Sequence, residues 1–170
     1  MRIKRFSKYC LFILCFLSFE LQAQIKNQEY KLMLDSLYDH SVPLISVEDL
    51  IKLDKKDLYI LDTREKEEFN VSHIKNARNV GYFWFDMRKI YDIPENATIV
   101  LYCSVGMRSE KIGEKLIEAG YKNVFNLYGS LFEWVNQGNP VYKKNGVQTS
   151  EIHTYNESWS HWVSRGTKVY

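Results

Sequence analysis

The spacing of apolar and polar positions changes several times along this chain, and each change marks an element. Residues 27–40 carry Leu32, Leu34, Leu37 and Tyr38 at mixed spacing, which predicts a short leading helix. Leu44 and Ile45 predict a first strand. Ser46 is placed to cap a helix through Val47, Leu50, Ile51 and Leu53, with Asp49 at its third position in a weak capping-box arrangement. DLYILD, residues 57–62, and TIVLY, residues 98–102, are short apolar runs that read as buried strands. Residues 78–80 predict a short strand, FWFDMRKI at 83–90 a helix, and Pro94-Glu95-Asn96 a turn. Between Glu110 and Ala119, charged residues alternate with Ile112, Leu116 and Ile117, one face of a helix that Gly120 stops. Residues 123–127 predict a further strand and 131–135 a further helical turn. Strands alternating with helices at this rhythm predict an α/β fold with a largely parallel sheet.

The two ends read differently. From Val141 the periodicity gives way to VYK and VQT around Lys144-Asn145-Gly146, a hairpin pattern. An aromatic, polar tail follows, with Trp159 and Trp162 three apart on one helical face; residues 142–170 read as an extension packed on the domain. At the other end, Arg2, Lys4, Arg5 and Lys8 precede YCLFILCFLSF, an apolar run too short for a comfortable membrane span, and a small residue at Ala23. Residues 1–23 therefore read as a secretory signal peptide cut after Ala23, with an uncleaved anchor as the alternative. Residues 24–43 form a helical lead-in.

Removing that segment alters the charge and the cysteine count. The formal net charge of +2 turns slightly negative, because four basic residues leave with one acidic residue, Glu20. Nothing in the balance favours nucleic acid or a charged membrane surface. Cys10 and Cys15 leave too, so Cys103 has no internal disulfide partner. A lone thiol in an oxidising compartment is a liability, and its presence calls for a chemical reason or for simple burial.

LYCSVGMRSEKI, residues 101–112, supplies the chemical reason. Cys103 stands just past a strand, where parallel α/β sheets place their sites. The loop Ser104, Val105, Gly106, Met107, Arg108 and Ser109 leads into a helix, so its backbone N–H groups and the helix N-terminus can surround an anion. A thiol among those donors ionises more easily, and the thiolate is the nucleophile. Arg108 adds a permanent charge that can hold an anionic substrate. Phosphate-ester hydrolysis uses such a cradle with five residues between cysteine and arginine, often after a histidine. Here four residues intervene and Tyr102 precedes the cysteine, a tighter loop that suits one extra sulfur atom.

Residues 44–141 resemble a single rhodanese domain. LDTREKEEFNVSHIKNARNV matches the family's pattern through Asp62, Arg64, Glu68, Phe69, His73, Ile74, Ala77 and Asn79. VLYCSVGMRS matches its active loop through Cys103, Gly106, Arg108 and Ser109, and AGYKNVFNLYGS and FEWVNQGNPV match its later segments. Ser130 departs from the pattern, standing where the family usually has a second glycine. The resemblance implies a three-layer fold with a central, mostly parallel five-stranded sheet flanked by helices. It implies a sulfurtransferase in which Cys103 attacks a donor's sulfane sulfur, carries it as a persulfide and passes it to an acceptor, with no metal or organic cofactor. Thiosulfate is the default donor, and cyanide or a small thiol the acceptor. Backbone N–H groups of residues 104–109 would stabilise the terminal sulfur. Two other readings stay open: a persulfide carrier that delivers to a protein partner, and a phosphate-ester or arsenate enzyme on a related fold.

The remaining candidates read mainly as structure. Asp62 and Arg64 are expected to brace the active loop as a buried pair, with substrate contact as the alternative. His73 is expected to be a hydrogen-bonded structural histidine and Glu68 the partner of a local base. Ser104 and Ser109 are candidates for helix capping or persulfide contact. His153 and His161 fit zinc-ligand spacing poorly, and Tyr155, Trp159 and Trp162 read as packing. The protein is expected to be exported, to the periplasm or the extracellular space of a bacterial envelope, with no stable membrane insertion once the signal is cut.

Overall fold

The computed structural model describes residues 25–170, so the signal-like segment, with Cys10 and Cys15, lies outside the described residues. Its centre is a sheet of five parallel strands: β1 (Leu44–Ile45), β2 (Leu58–Asp62), β3 (Arg78–Asn79), β4 (Thr98–Tyr102) and β5 (Asn123–Leu127), in the order β1-β5-β4-β2-β3. The helices are α1 (Gln28–Leu37), α2 (Val47–Lys52), α3 (Lys66–Val71), α4 (Met107–Glu118) and α5 (Ser130–Asn136). The fold is therefore the expected α/β arrangement.

Strand alternation creates the layers. On β4, Ile99 and Leu101 face a core shared with Ile112 and Leu116 of α4. Val100 and Tyr102 face the opposite core, shared with Tyr30 and Leu34 of α1 and with Leu131, Phe132 and Val135 of α5. A period of two sends neighbouring side chains to opposite faces, so a continuous apolar run fits a strand buried on both sides.

Strand order also fixes the site. From β2 the chain moves outward to β3, and from β4 it moves outward the other way to β5. The connections diverge between β2 and β4, and the crevice at their carboxyl ends is where open α/β sheets bind ligands. Asp62 ends one of these strands and Tyr102 the other, which brings Arg64 and Cys103 to that crevice.

Residues 83–90 differ from the helix expected there. A single 3₁₀ turn, Met87–Lys89, is all that forms. The Glu65 carboxylate accepts the N–H groups of Tyr82 (3.2 Å) and Phe83 (3.1 Å), and Lys89 Nζ donates to the carbonyls of Val80 (2.7 Å) and Trp84 (3.1 Å). The bond a helix would make from the Arg88 N–H to the Trp84 carbonyl is thereby lost, since Asp86 Oδ1 takes that N–H (2.8 Å) and Lys89 that carbonyl. Phe83 and Trp84 stand exposed.

The tail is more ordered than its composition implied. β6 (Val141–Tyr142) and β7 (Gln148–Thr149) form the expected antiparallel hairpin, and β8 (Glu151–His153) pairs in parallel with β9 (Thr167–Val169) around α6 (Glu157–Ser160). The tail docks on α1, where Trp162 stacks on the ring of the buried Tyr30 at 5.4 Å. Among the described residues, no helix is long and apolar enough to cross a membrane.

Candidate active site

The loop after β4 is defined by where its carbonyls go. Cys103 O accepts from Leu131 N–H (3.2 Å) and Ser104 O from Phe132 N–H (3.1 Å), both in the first turn of α5. The Tyr38 hydroxyl donates to Val105 O. Gly106 O accepts from Asn126 Nδ2 (3.0 Å) and from Glu110 N–H (3.0 Å), the first bond of α4. Four successive carbonyls are therefore held outward. Buried backbone groups must be paired, and with the carbonyls committed elsewhere the following N–H groups turn toward the thiol. Gly106 N–H lies 3.1 Å from Cys103 Sγ.

Gly106 makes this turn with φ of +114°. A Cβ there would sit 2.0 Å from Tyr38 Oη and 2.5 Å from its ring carbon Cζ. Glycine is needed both for the backbone and for the close approach of Tyr38. Tyr38 also accepts from Gly129 N–H (3.2 Å), so one phenol ties the active loop to the turn before α5. Burial holds its pKa well above the ordinary tyrosine value, which keeps it a donor.

Ser130, the departure from the family pattern, takes φ of +52° at the start of α5. That is the left-handed region a glycine would enter without strain. The serine adds something a glycine lacks: its Oγ accepts the Cys103 N–H at 3.2 Å.

Cys103 is 2% exposed. Burial pushes its thiol pKa up, but the Arg108 charge and the N–H groups of Ser109, Gly106 and Val105 outweigh it, and the net shift is downward. Arg108 is not a free charge. Its Nη1 and Nη2 contact the two Glu68 carboxylate oxygens at 2.7 and 2.8 Å, a bidentate pair, and Ser104 Oγ lies 3.3 Å from Nη2. Burial alone would raise the Glu68 pKa, and the guanidinium reverses it. Glu68 thus pairs with a base 40 residues away in sequence. The Ser109 side chain turns from the thiol to Asn126 Oδ1 (2.7 Å), which orients that amide toward Gly106 O.

Asp62 and Arg64 are completely buried. Asp62 Oδ1 accepts Arg64 N–H (2.9 Å) and Nε (3.0 Å), and Arg64 Nη2 donates to Asp62 Oδ2 and to Ser72 O, both at 2.6 Å. The guanidinium lies 5.7 Å from the centre of the Tyr102 ring. These bonds join the end of β2 to Ser72, and neither residue lines the cleft. His73 donates from Nδ1 to Phe69 O (2.9 Å) and stacks on the Phe69 ring.

Above Cys103 opens a cleft of about 210 Å³, walled by Leu37, Tyr82, Phe83, Met107, Tyr155 and Trp159, with Ser104, Val105 and Arg108 toward its base. Tyr155 and Trp159 therefore do more than pack, while Trp162 packs against Tyr30. Sequence reasoning did not connect Tyr38, Asn126 or the two tail aromatics to the site. Asn126 carried a signal, as an amide inside an apolar strand. The others are brought in from distant segments.

Comparison with known proteins agrees with the geometry. The model of the rhodanese-like domain matches residues 46–137, and the chain belongs to this family. Over 90 residues it is 30% identical to the thiosulfate sulfurtransferase GlpE of Coxiella burnetii, a match covering 51% of this chain and 78% of that one. It is 29% identical over 128 residues to the tRNA uridine(34) hydroxylase of Aster yellows witches'-broom phytoplasma, covering 69% of this chain but only 40% of that protein. Among solved structures, a rhodanese-related protein from Thermoplasma volcanium aligns with a TM-score of 0.50 at 27% identity, over 58% of this chain and 96% of that one.

Proposed function

We propose that this protein is an exported sulfurtransferase that carries sulfane sulfur on Cys103. The observation that carries the reading is the loop whose carbonyls all point outward, leaving its N–H groups to hold the negative charge of a thiolate or terminal persulfide sulfur. The lowered thiol pKa fits the same role. The sulfurtransferase relative is also matched over most of its length, the hydroxylase over less than half.

In the first half-reaction the Cys103 thiolate attacks the outer sulfur of a donor such as thiosulfate. The donor's S–S bond breaks and sulfite leaves with the electron pair. In the second, an acceptor nucleophile attacks the terminal sulfur and the Cys103–S bond breaks. The electron pair returns to Cys103 as thiolate, a double displacement with a covalent intermediate. The four-residue spacing between Cys103 and Arg108 favours this over phosphoryl chemistry, which needs a wider ring.

Incubation with excess thiosulfate followed by intact mass should show a gain of one sulfur, absent in Cys103→Ala, and added cyanide should remove it as thiocyanate. Charging without release to small acceptors would instead favour a carrier for a protein partner. The export proposal rests on the basic and apolar pattern of residues 1–23. Expressed in bacteria with its own N-terminus, the protein should be recovered from the envelope fraction starting at Gln24.

A further inference from the structure

The cleft above Cys103 has no uncommitted cation, and three of its six wall residues come from outside the family domain. Of its lining residues only Arg108 is charged, and both of its outer nitrogens are engaged by Glu68. A second basic side chain, His153, lies near this pair. Burial lowers its pKa, and its Nδ1 accepts the Tyr155 N–H at 3.2 Å, so it brings no proton-borne charge to the mouth. Thiosulfate would meet the ring of N–H groups empty; once that ring holds the terminal sulfur, an acceptor bearing a further anionic group would lose water here without gaining a free cation in return.

The walls are apolar and deliberately placed. Leu37 belongs to α1, and Tyr155 and Trp159 to the tail, all beyond residues 46–137. Tyr155, a residue 59% exposed, holds φ of +67°, a costly conformation for an aromatic residue, and stands at the rim. The volume, about 210 Å³, lies below the roughly 300–1,000 Å³ of pockets for drug-sized ligands. It suits a thiol carrying one ring.

We infer that the sulfur acceptor of Cys103 is a small, uncharged thiol with an aromatic or similarly apolar body, selected by walls that α1 and the C-terminal tail add to the family domain. The inference rests on the sulfurtransferase reading. In the transfer step the acceptor thiol gives up its proton to solvent as its sulfur attacks the terminal persulfide sulfur. An S–S bond forms to the acceptor, the Cys103–S bond breaks, and its electron pair returns to Cys103.

The test charges Cys103 with polysulfide, verifies the persulfide by mass and removes excess reagent. Loss of the persulfide is then timed with benzyl mercaptan and, separately, with 2-mercaptoethanesulfonate, thiols of similar acidity. Each rate is divided by that for a small alkyl persulfide in solution. Benzyl mercaptan should be favoured roughly tenfold, the effect of burying about 60 Å² of apolar surface. Trp159→Ala should shrink that preference. Met107→Lys, at an exposed position on the rim, should shift it toward the sulfonate by supplying a free cation. Parity or reversed preference in the native protein, or unchanged preference in both variants, would overturn the inference while leaving sulfur transfer intact. Failure to form any persulfide would overturn both.

Discussion

At the scale of single residues, the site depends on contacts that place a donor or deny space. Gly106→Ala introduces a Cβ into the Tyr38 ring and forces a left-handed alanine. We expect a loss of about 2 kcal/mol of stability in urea unfolding, together with loss of sulfur loading. Tyr38→Phe should not rescue it, because ring carbons at 2.5 and 2.7 Å remain in the way. Arg108 acts through charge. Burial alone raises the Cys103 pKa, so Arg108→Met leaves that effect opposed only by the amides and also frees the Glu68 charge. The thiolate titration, followed by its ultraviolet absorbance, should move to higher pH, and loading at neutral pH should slow. An unchanged or lower midpoint would contradict this assignment. Much of this chemistry was legible in the sequence, because Cys103, Gly106 and Arg108 lie within one short stretch. The restraint of Arg108 by Glu68 was less so, since the partner's identity depends on the packing of α3 against the loop.

Among elements, α5 is the support of the active loop. Its first N–H groups have no acceptor within the helix, and here they donate to the Cys103 and Ser104 carbonyls. Ser130 adds the acceptor for Cys103 N–H. Ser130→Ala keeps the left-handed backbone and strands that buried N–H, which costs about 1–3 kcal/mol. Ser130→Gly loses the same acceptor but relieves the backbone, so it should be the milder variant in thermal unfolding. Equal losses would mean that the backbone conformation contributes nothing. The strands were legible from TIVLY and DLYILD, since burial on both faces writes itself as continuous apolar sequence. Residues 83–90 were not. Their helical look was overridden by Asp86 and Lys89, whose side chains take the Arg88 N–H and the Trp84 carbonyl that a helix would pair.

Over the whole molecule, the family domain is clasped by its two flanks. α1 contributes Leu37 and the adjoining Tyr38, and the tail contributes Tyr155, Trp159 and the Trp162 stack on Tyr30. Removing everything after Val141 uncovers Tyr30 and deletes one wall of the cleft. The truncated protein should melt at lower temperature and lose acceptor discrimination, with Cys103 still able to charge. An undiminished melting temperature would show that the tail adds no stabilising packing. These long-range clasps were invisible in sequence because the contacts join segments about a hundred residues apart, while each segment alone reads as an ordinary helix or an aromatic tail.

The central claim is that Cys103, ringed by outward-anchored peptide units, accepts a single sulfur atom. Mass analysis of the thiosulfate-treated protein tests it most directly. One added sulfur is expected, located on the peptide containing Cys103, lost on treatment with cyanide and never formed in Cys103→Ala. A folded protein that takes up no sulfur under excess donor, or that hydrolyses an aryl phosphate instead, would contradict it.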